Sequence, residues 1–469
     1  MPKSWTSGGL ELHLDLEPGV GRRAALERAL REAIRSGRLA AGTQLPSSRA
    51  LAADLGLSRG TVVQAYEQLL AEGYLTSRSR THTEVAAVPG AGTRTQLRSS
   101  ANFSVPYDLA PGNPDVSQFP RSTWASALRH AVTVATDEDL RYGDPRGHPE
   151  LRRALADYLG RVRGVRTSSQ AIIVCTGFTN GLRLIAAALR ERGGRTMAVE
   201  DYGLPFHVEA IEHAGLRTET VRLDEDGLVV DELPDADAVL VTASHQLPWG
   251  TRLHPGRRGT LVDWARDNNA VVVEDDYDGE FRYDRQPIGA IQGLAPEHVI
   301  YAGTASKSLA PAMRMAWLAV PERLIEPIIR IRLLSERQCP VFEQLALAHL
   351  LDSGGLDRHL RRMRTHYRKR RDYLLDALAA AVPQVRPFGI AAGLHVTLLL
   401  PDGIPDDDIR AVLAEHGVDA HQLSAYLRRP GSAPAGLVIG YATPPGHTYP
   451  AAVQALVSAL SKLVQLEPV

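Results

Sequence analysis

The stretches that decide the fold are AVVVEDDYDGEF (270–281) and HVIYAGTASKSLAP (298–311). Each begins as a short apolar run and ends in reactive side chains, two acids and a tyrosine in the first and a lysine in the second. Apolar runs of this length, rich in β-branched residues, predict buried strands. Because ligands bind at the carboxyl edge of a doubly wound sheet, we expect Asp275, Tyr277 and Lys307 to lie at a binding site.

The sequence around these stretches alternates further strand-like runs with helical patterns. The other predicted strands are AIIVCTG (171–177), TMAVED (196–201) and AVLVTAS (238–244), and the predicted helices include GLRLIAAALRER (181–192) and RRGTLVDWARDNN (257–269). This alternation predicts an α/β fold, a doubly wound, mostly parallel sheet with helices on both faces. After about Pro340, long helices and the strand-like AGLHVTLLL (392–400) and AGLVIGYAT (435–443) predict a smaller α+β subdomain.

Composition narrows the function classes. The chain has 469 residues, with 53 Lys+Arg against 54 Asp+Glu, so its overall charge favours neither a polyanion nor a membrane surface. It has two cysteines, which excludes a disulfide framework and favours a cytoplasmic protein. The N-terminus lacks the pattern of a signal peptide, and no run of 18 apolar residues predicts a membrane span.

Lysine is rare in this chain, which has only Lys3, Lys307, Lys369 and Lys462. Arginine cannot form an imine, whereas a lysine amine can lose its proton and attack a carbonyl group. Lys307 stands at the end of a predicted strand among small residues, so it is the lysine that we expect to be chemically active.

The first 85 residues predict a separate small domain. A helix over 22–35 places Leu26, Leu30, Ala33 and Ile34 on one face, and a second helix follows Ser47 or Ser48. The break LGLS (55–58) leads to a third helix with Ser58 as its cap, and YLTSRSRTHTEVA (74–86) predicts a strand-turn-strand. Two helices joined by a short glycine-containing turn predict a helix-turn-helix, whose second helix enters the major groove of DNA.

The stretch SGRLAAGTQLPSSRALAADLGLSRGTVVQAYEQLLAEGYL resembles the winged helix-turn-helix of GntR-family regulators. The resemblance implies a partner in double-stranded DNA, contacted by Arg49, Ser58, Arg59, Thr61 and Tyr66. The wing departs from that family, since RSRTHTE stands where a Gly-Ser-Gly tip is usual. The alternative is a three-helix domain used for protein contacts.

The chemistry at the two strand ends suits pyridoxal 5'-phosphate. Its aldehyde needs a lysine, and its pyridine nitrogen needs a carboxylate that keeps the nitrogen protonated. Its phosphate needs backbone amides at a helix N-terminus and a cation. TGFTNG (176–181) lies between a predicted strand and a helix and supplies the amides, while Thr304, Ser306 and Arg314 are candidates for the remaining contacts. No metal site is predicted.

Residues 107–469 resemble the fold-type I aminotransferases, through pieces such as PGNPDVSQFP, RYGDPRGHPELRRALADYL, VCTGFTNGLRLI, VEDDYDGEFRY and GTASKSLAP. The resemblance implies that Lys307 is the Schiff-base lysine, that Asp275 pairs with the pyridine nitrogen and Tyr277 with the ring hydroxyl. It implies a phosphate site made of Gly177, Phe178, Thr179, Thr304 and Arg314, with Tyr142 reaching the phosphate from the partner subunit. The alternatives are that Arg314 is a surface cation, Asp276 a cap, Tyr142 an ordinary core residue and Lys307 a solvated loop lysine.

A GntR-type domain (11–85), a flexible linker (86–106) and an aminotransferase-like domain (107–469) together resemble the MocR family of transcriptional regulators. The resemblance implies a head-to-tail homodimer on two DNA half-sites and a domain that senses a small-molecule effector rather than catalysing turnover. The effector is expected to be pyridoxal phosphate or an amino acid or amine, and the target vitamin B6 or amino-acid metabolism. The alternative is an active aminotransferase that carries a DNA-binding domain.

Three departures from working aminotransferases favour the sensor. Leu247-Pro248-Trp249-Gly250 replaces Asn-Pro-Thr-Gly, and Leu204 stands where an aromatic ring commonly stacks on the pyridine. The arginine that grips the substrate carboxylate has no clear counterpart in LVIGYATPPGHTYP, and the nearest candidates, Arg428 and Arg429, fall in a predicted loop.

The arginine-rich run DRHLRRMRTHYRKRR (357–371) allows two interpretations. Its cations are candidates for contacts with DNA phosphates. We favour a solvated helix face with Leu360, Met363, Tyr367 and Leu374 as the buried stripe.

Overall fold

The computed structural model describes residues 3–7, 10–14, 21–79, 82–87, 106–283, 288–429, 431 and 433–465. The chain divides into two compact units, Met1–Phe103 and Ser104–Val469. The predicted linker, 86–106, contains this division, and its residues 88–105 lie outside the described ranges. Among the described residues, no helix combines the length and the apolar character needed to cross a membrane.

The N-terminal unit has the predicted three helices and paired strands. The helices are Arg22–Arg35, Ser48–Leu55 and Arg59–Ala71, and the antiparallel strands Leu75–Ser79 and His82–Val85 follow them. Ser47 and Ser58 cap the second and third helices by accepting the backbone N–H groups of Ala50 and Thr61. Two further strands, Lys3–Ser7 and Leu10–Leu14, pair antiparallel and were not predicted from the sequence.

A seven-stranded sheet organises the second unit. In spatial order its strands are Ile172–Cys175, Ala316–Ala319, Val299–Thr304, Val271–Asp275, Ala238–Val241, Thr196–Glu200 and Arg217–Val221. Ala316–Ala319 runs antiparallel to both of its neighbours, and the other pairs are parallel. All five predicted strands are present, and all five are buried along their whole length because helices cover both faces of the sheet.

The helices of this unit include those predicted from periodicity. They are Arg121–Val134, Pro149–Arg163, Phe178–Glu191, Pro205–His213, Pro255–Asp267, Ala305–Ser308, Glu322–Ser335, Val341–Asp352, Gly355–Ala381, Asp406–Glu415 and Tyr449–Gln465. The predicted smaller subdomain contains an antiparallel sheet with the strand order Arg386–Phe388, Val396–Leu399, Gly436–Ile439 and His421–Gln422.

The helix Gly355–Ala381 carries the arginine-rich run. Its predicted stripe, Leu360, Met363, Tyr367 and Leu374, is buried. Arg370 is also buried, so the interpretation of the run as one solvated face is wrong at this position. The guanidinium of Arg370 contacts the carboxylate of Asp115 at 2.9 Å and donates to the carbonyls of Ala442 and Pro444.

Candidate cofactor cavity and DNA-reading helix

A cavity of about 350 Å³ lies at the carboxyl ends of the parallel strands. Among its lining residues are eight that the sequence predicted for the cofactor site: Phe178, Thr179, Asp275, Tyr277, Thr304, Ser306, Lys307 and Arg314. The strands Val271–Asp275 and Val299–Thr304 are hydrogen-bonded neighbours, so they bring the acid and the lysine to one edge of the sheet.

Lys307 lies in the short helix Ala305–Ser308, directly after its strand. Its Nζ donates a hydrogen bond to the carbonyl of Gly112. Burial lowers the pKa of Lys307, and the negative charges of Asp278 and Asp275 oppose that shift. A lowered pKa increases the share of neutral amine, which is the nucleophilic form.

Asp275 is a buried carboxyl group that faces the cavity. Burial raises its pKa well above the usual range, and the negative charge of Asp276 adds to the shift, while Lys307 opposes it. Within the described part of the chain no group hydrogen-bonds to this carboxylate. Burying a carboxylate without a partner is costly, so the site fits a ligand that presents a cationic N–H at this position.

Asp276 has a different environment from its neighbour. Its carboxylate contacts the guanidinium of Arg163 at 2.6 and 2.9 Å and accepts a hydrogen bond of 2.7 Å from the hydroxyl of Tyr301. All three side chains are buried. The alternative of a helix cap is therefore wrong, and Asp276 instead anchors the end of its strand to the helix Pro149–Arg163.

The predicted phosphate contacts surround the N-terminus of the helix Phe178–Glu191. Gly177 precedes this helix with φ +104° and ψ 161°, a conformation that essentially only glycine adopts. A Cβ atom at Gly177 would lie 2.9 Å from the guanidinium carbon of Arg314, so this side chain closes over the glycine. Arg314 also donates a 2.7 Å hydrogen bond to the carbonyl of Thr176. Amides at a helix N-terminus beside a guanidinium fit a phosphate group.

Tyr142 does not line the cavity of its own chain. Its side chain is 76% exposed, and the guanidinium of Arg337 lies over its ring at 4.4 Å. The alternative of a core residue is therefore wrong.

The cavity wall contains acidic and imidazole groups that the sequence analysis did not select. Glu200 accepts a 2.6 Å hydrogen bond from Thr242, and burial raises the pKa of Glu200 to about 7. The ring of His207 packs edge-on against that of Phe178, with ring centroids 5.0 Å apart. Burial lowers the pKa of His207 to about 4, which keeps its imidazole neutral. Leu204, which stands where aminotransferases commonly carry an aromatic residue, lines the cavity.

The two candidate arginines of the loop after Tyr426 have separate roles. Arg429 forms a 2.7 Å ion pair with Asp201. Arg428 lines the cavity, and its Nε donates to the carbonyl of Tyr426 at 3.0 Å. Among the described residues no carboxylate lies within ion-pair distance of Arg428, so its charge remains available to a ligand.

The second and third helices of the N-terminal unit present most of the predicted DNA contacts at the surface, Arg49 on the second helix and the others at the start of the third. Arg49, Ser58 and Arg59 are exposed and Thr61 is half-buried. The hydroxyls of Ser58 and Thr61 lie 2.8 Å apart. The prediction that Tyr66 contacts DNA is wrong. Its side chain is buried in the core of this unit, and its hydroxyl donates to the carbonyl of Pro46 at 3.0 Å.

Comparison with known proteins accounts for both units. Residues 22–85 match the model of the gntR family of bacterial regulatory proteins, and residues 106–428 match aminotransferase class I and II. The chain is 34% identical over 421 residues to the HTH-type pyridoxine biosynthesis transcriptional regulator PdxR of Corynebacterium glutamicum, covering 89% of this chain and 91% of that protein. The chain belongs to the MocR family of transcriptional regulators.

Other members and a solved structure support the same assignment. The probable rhizopine catabolism regulatory protein MocR of Rhizobium meliloti is 34% identical, over 76% of this chain and 77% of that protein. The kynurenine aminotransferase of Pyrococcus horikoshii, solved in complex with PMP, superposes with a TM-score of 0.69 and 25% identity, over 77% of this chain and 92% of that one. This MocR-family chain therefore combines a winged helix-turn-helix with the fold of the pyridoxal-phosphate-dependent aminotransferases.

Proposed function

We propose that this regulator binds pyridoxal 5'-phosphate at Lys307 and changes its affinity for operator DNA when the cavity is occupied. The observation that carries the proposal is the carboxyl group of Asp275, which faces the cavity, buried and without a hydrogen-bonding partner among the described residues. A protonated pyridine nitrogen is the cation that such a group requires.

The other groups of the cofactor have matching partners in the chain. Lys307 would take the aldehyde and Tyr277 the ring hydroxyl. The phosphate would lie at Gly177, Phe178, Thr179, Thr304 and Arg314. When bound, the cofactor supplies an aldehyde that combines reversibly with amines.

We assign Tyr142 a contact with the phosphate of the cofactor that is bound in a partner subunit. This contact requires a head-to-tail homodimer, which we place in the cytoplasm. Exposure of 76% in the single chain supports this assignment, since an aromatic side chain of this size gains little by facing water. Two copies of the chain would then place two DNA-reading helices on two half-sites.

DNA recognition is assigned to the exposed start of the helix Arg59–Ala71 and to Arg49 on the helix Ser48–Leu55. Arg59 is the candidate for reading a base, while Arg49, Ser58 and Thr61 are candidates for phosphate contacts. Tyr66 is no longer part of this set because it is buried.

The cavity favours sensing over turnover. The strand Gly436–Ile439, which belongs to the region where an aminotransferase carries its carboxylate-binding arginine, contributes only buried glycine and aliphatic residues. Arg428 lies on a separate loop and remains available for a carboxylate. The effector is therefore pyridoxal phosphate itself or an amine that reacts with it, and Arg428 favours an amine that also bears a carboxylate.

The test begins by sequencing the DNA that the full-length protein retains, with and without pyridoxal phosphate. Operator affinity at fixed salt is then compared for the wild type with and without the cofactor, for Lys307→Ala and for the control Lys369→Ala. Occupancy should change the affinity of the wild type and of the control by about 5–150-fold, the usual range of allosteric coupling, and leave Lys307→Ala unchanged.

Borohydride reduction followed by mass spectrometry should place the pyridoxyl group on Lys307. Identical operator affinities in every arm would refute the sensor. Rapid transamination of common amino acids would support the enzyme instead.

A further inference from the structure

His245 and Asp278 form a buried pair beside the predicted cofactor residues. Both side chains are 1% exposed, and His245 Nδ1 lies 2.8 Å from Asp278 Oδ2. A carboxylate can only accept, so the proton of this hydrogen bond lies on Nδ1. The hydroxyl of Tyr277 lies 3.3 Å from the same nitrogen. The pair therefore touches the tyrosine that is expected to contact the ring hydroxyl of the cofactor.

The surrounding backbone fixes this pair. Gly393 has φ +71°, and a Cβ atom there would lie 2.2 Å from Cε1 of His245 and 2.3 Å from Oδ2 of Asp278. The carbonyl of Gly393 accepts hydrogen bonds from Tyr283 at 2.7 Å and Tyr441 at 2.6 Å. The pair is thus held between Tyr277 on one side and a tethered backbone segment on the other.

The position of the proton on Nδ1 decides what Tyr277 can do. Because Nδ1 carries a proton, the tyrosine oxygen can only accept from it, and the hydrogen of the hydroxyl points away from this nitrogen. Burial raises the pKa of Tyr277 well above its usual range, and the charges of Asp278 and Asp275 and a hydrogen bond to the side chain of Asp278 add to the shift, so the hydroxyl keeps its proton. The pair thus holds the hydroxyl of Tyr277 where this side chain lines the cavity.

We propose that His245 and Asp278 are positioning residues that fix the hydroxyl of Tyr277 at the cavity wall, where it would meet the ring hydroxyl of the bound cofactor. The inference rests on the proposed binding of pyridoxal phosphate at this site. His395 supports His245 from behind, with ring centroids 4.7 Å apart, and its Nε2 lies 3.2 Å from the carbonyl of Pro248.

His245, Asp278 and His395 also have ligand atoms within 4.8 Å of one another, a spacing that a metal ion would accept. Hydrogen bonding accounts for the cluster without an ion, because Nδ1 of His245 and Nε2 of His395 already have partners.

A double-mutant cycle tests the inference, because a residue that acts only through Tyr277 has no effect once the hydroxyl is gone. The variants of the full-length protein are His245→Gln, Asp278→Asn, Tyr277→Phe and the double variant Tyr277→Phe/His245→Gln. The control is His359→Gln, a buried histidine whose Nε2 lies 3.0 Å from the carbonyl of Ser308, away from Tyr277. Pyridoxal phosphate affinity and the visible absorption band of the bound cofactor are measured for each.

Each of the three single changes at the pair and at Tyr277 should lower affinity about five- to tenfold, the value of one net hydrogen bond, and shift the band. The double variant should bind as Tyr277→Phe does, and the control as the wild type. Circular dichroism without cofactor confirms folding, and Asp278→Asn tests the pair independently if His245→Gln does not fold.

An additive loss in the double variant would refute the positioning role, as would an unchanged band and affinity in His245→Gln and Asp278→Asn. In either case cofactor binding by the wild type would leave the proposed function intact. A wild type that shows no cofactor band would refute the proposed function itself.

Discussion

Gly177→Ala is a direct test of the phosphate site, because the structure shows that this substitution would both strain the backbone and displace the side chain of Arg314. The backbone at Gly177 has φ +104° and ψ 161°, where a non-glycine residue costs about 1–3 kcal/mol. The added methyl would lie 2.9 Å from Cζ and Nη2 of Arg314 and 3.0 Å from its Nη1. These distances are shorter than van der Waals contact, so the guanidinium must move away from the helix N-terminus.

The expected loss of affinity follows from that displacement. A hydrogen bond to a charged group contributes about 1.5–3 kcal/mol, which corresponds to a tenfold to hundredfold weaker binding of pyridoxal phosphate. Pyridoxal, which lacks the phosphate, should bind Gly177→Ala and the wild type about equally, because Arg314 has nothing to contact on that ligand.

Gly193→Ala is the matched control for backbone strain. Gly193 has φ +98°, and a Cβ atom there would meet nothing within 4 Å. The two variants should lose similar free energy of unfolding, measured by urea denaturation without cofactor, while only Gly177→Ala loses affinity in an absorbance titration with pyridoxal phosphate. Wild-type affinity in Gly177→Ala, or an equal loss for pyridoxal, would refute the assignment of the phosphate site.

Three further predictions concern the DNA reader and the effector. Arg59→Ala should weaken binding to the cognate operator by about 1–3 kcal/mol in a fluorescence-anisotropy titration while changing random DNA less; equal losses on both would make Arg59 a phosphate contact. Arg428→Met should abolish the response of operator binding to carboxylate-bearing amines without weakening the binding of pyridoxal phosphate. Arg429→Met is the control and should keep the response. An unchanged response in Arg428→Met would exclude Arg428 as the residue that binds the carboxylate. Operator DNA should change the affinity for pyridoxal phosphate by the same factor, and in the same direction, as the cofactor changes operator affinity, and unequal factors at equilibrium would contradict a coupled two-site mechanism.

Local sequence patterns predicted most of the fold, because periodicity reports which face of an element is buried. The strand ends at Asp275 and Lys307 were predicted for the same reason. Tyr66 shows the limit of motif matching. It lies on the same buried stripe as Val62, Ala65 and Leu69, so helical spacing indicated burial although the family resemblance implied DNA contact.

The residues that sequence reasoning missed depend on contacts between distant parts of the chain. His245 meets Asp278 across 33 positions, and Arg370 meets Asp115 across 255. A local pattern cannot report such pairs, since it gives the direction of a side chain but not its partner. Asp278 carried a weak signal, because a third acid so close to Asp275 and Asp276 needs a partner of its own when the segment is buried.

The charged groups of the cavity bear on the proposed effector. In the proposed site, pyridoxal phosphate would offer its aldehyde to Lys307, its ring nitrogen to Asp275 and its phosphate to Arg314. Of the lysine and arginine side chains among the described lining residues, Arg428 then remains, with only backbone carbonyls as hydrogen-bond partners. A half-buried guanidinium that lacks a carboxylate partner is better satisfied when a ligand supplies one. An amino acid joined to the cofactor would supply that carboxylate, so we propose amines that bear an acid group as effectors in addition to pyridoxal phosphate itself.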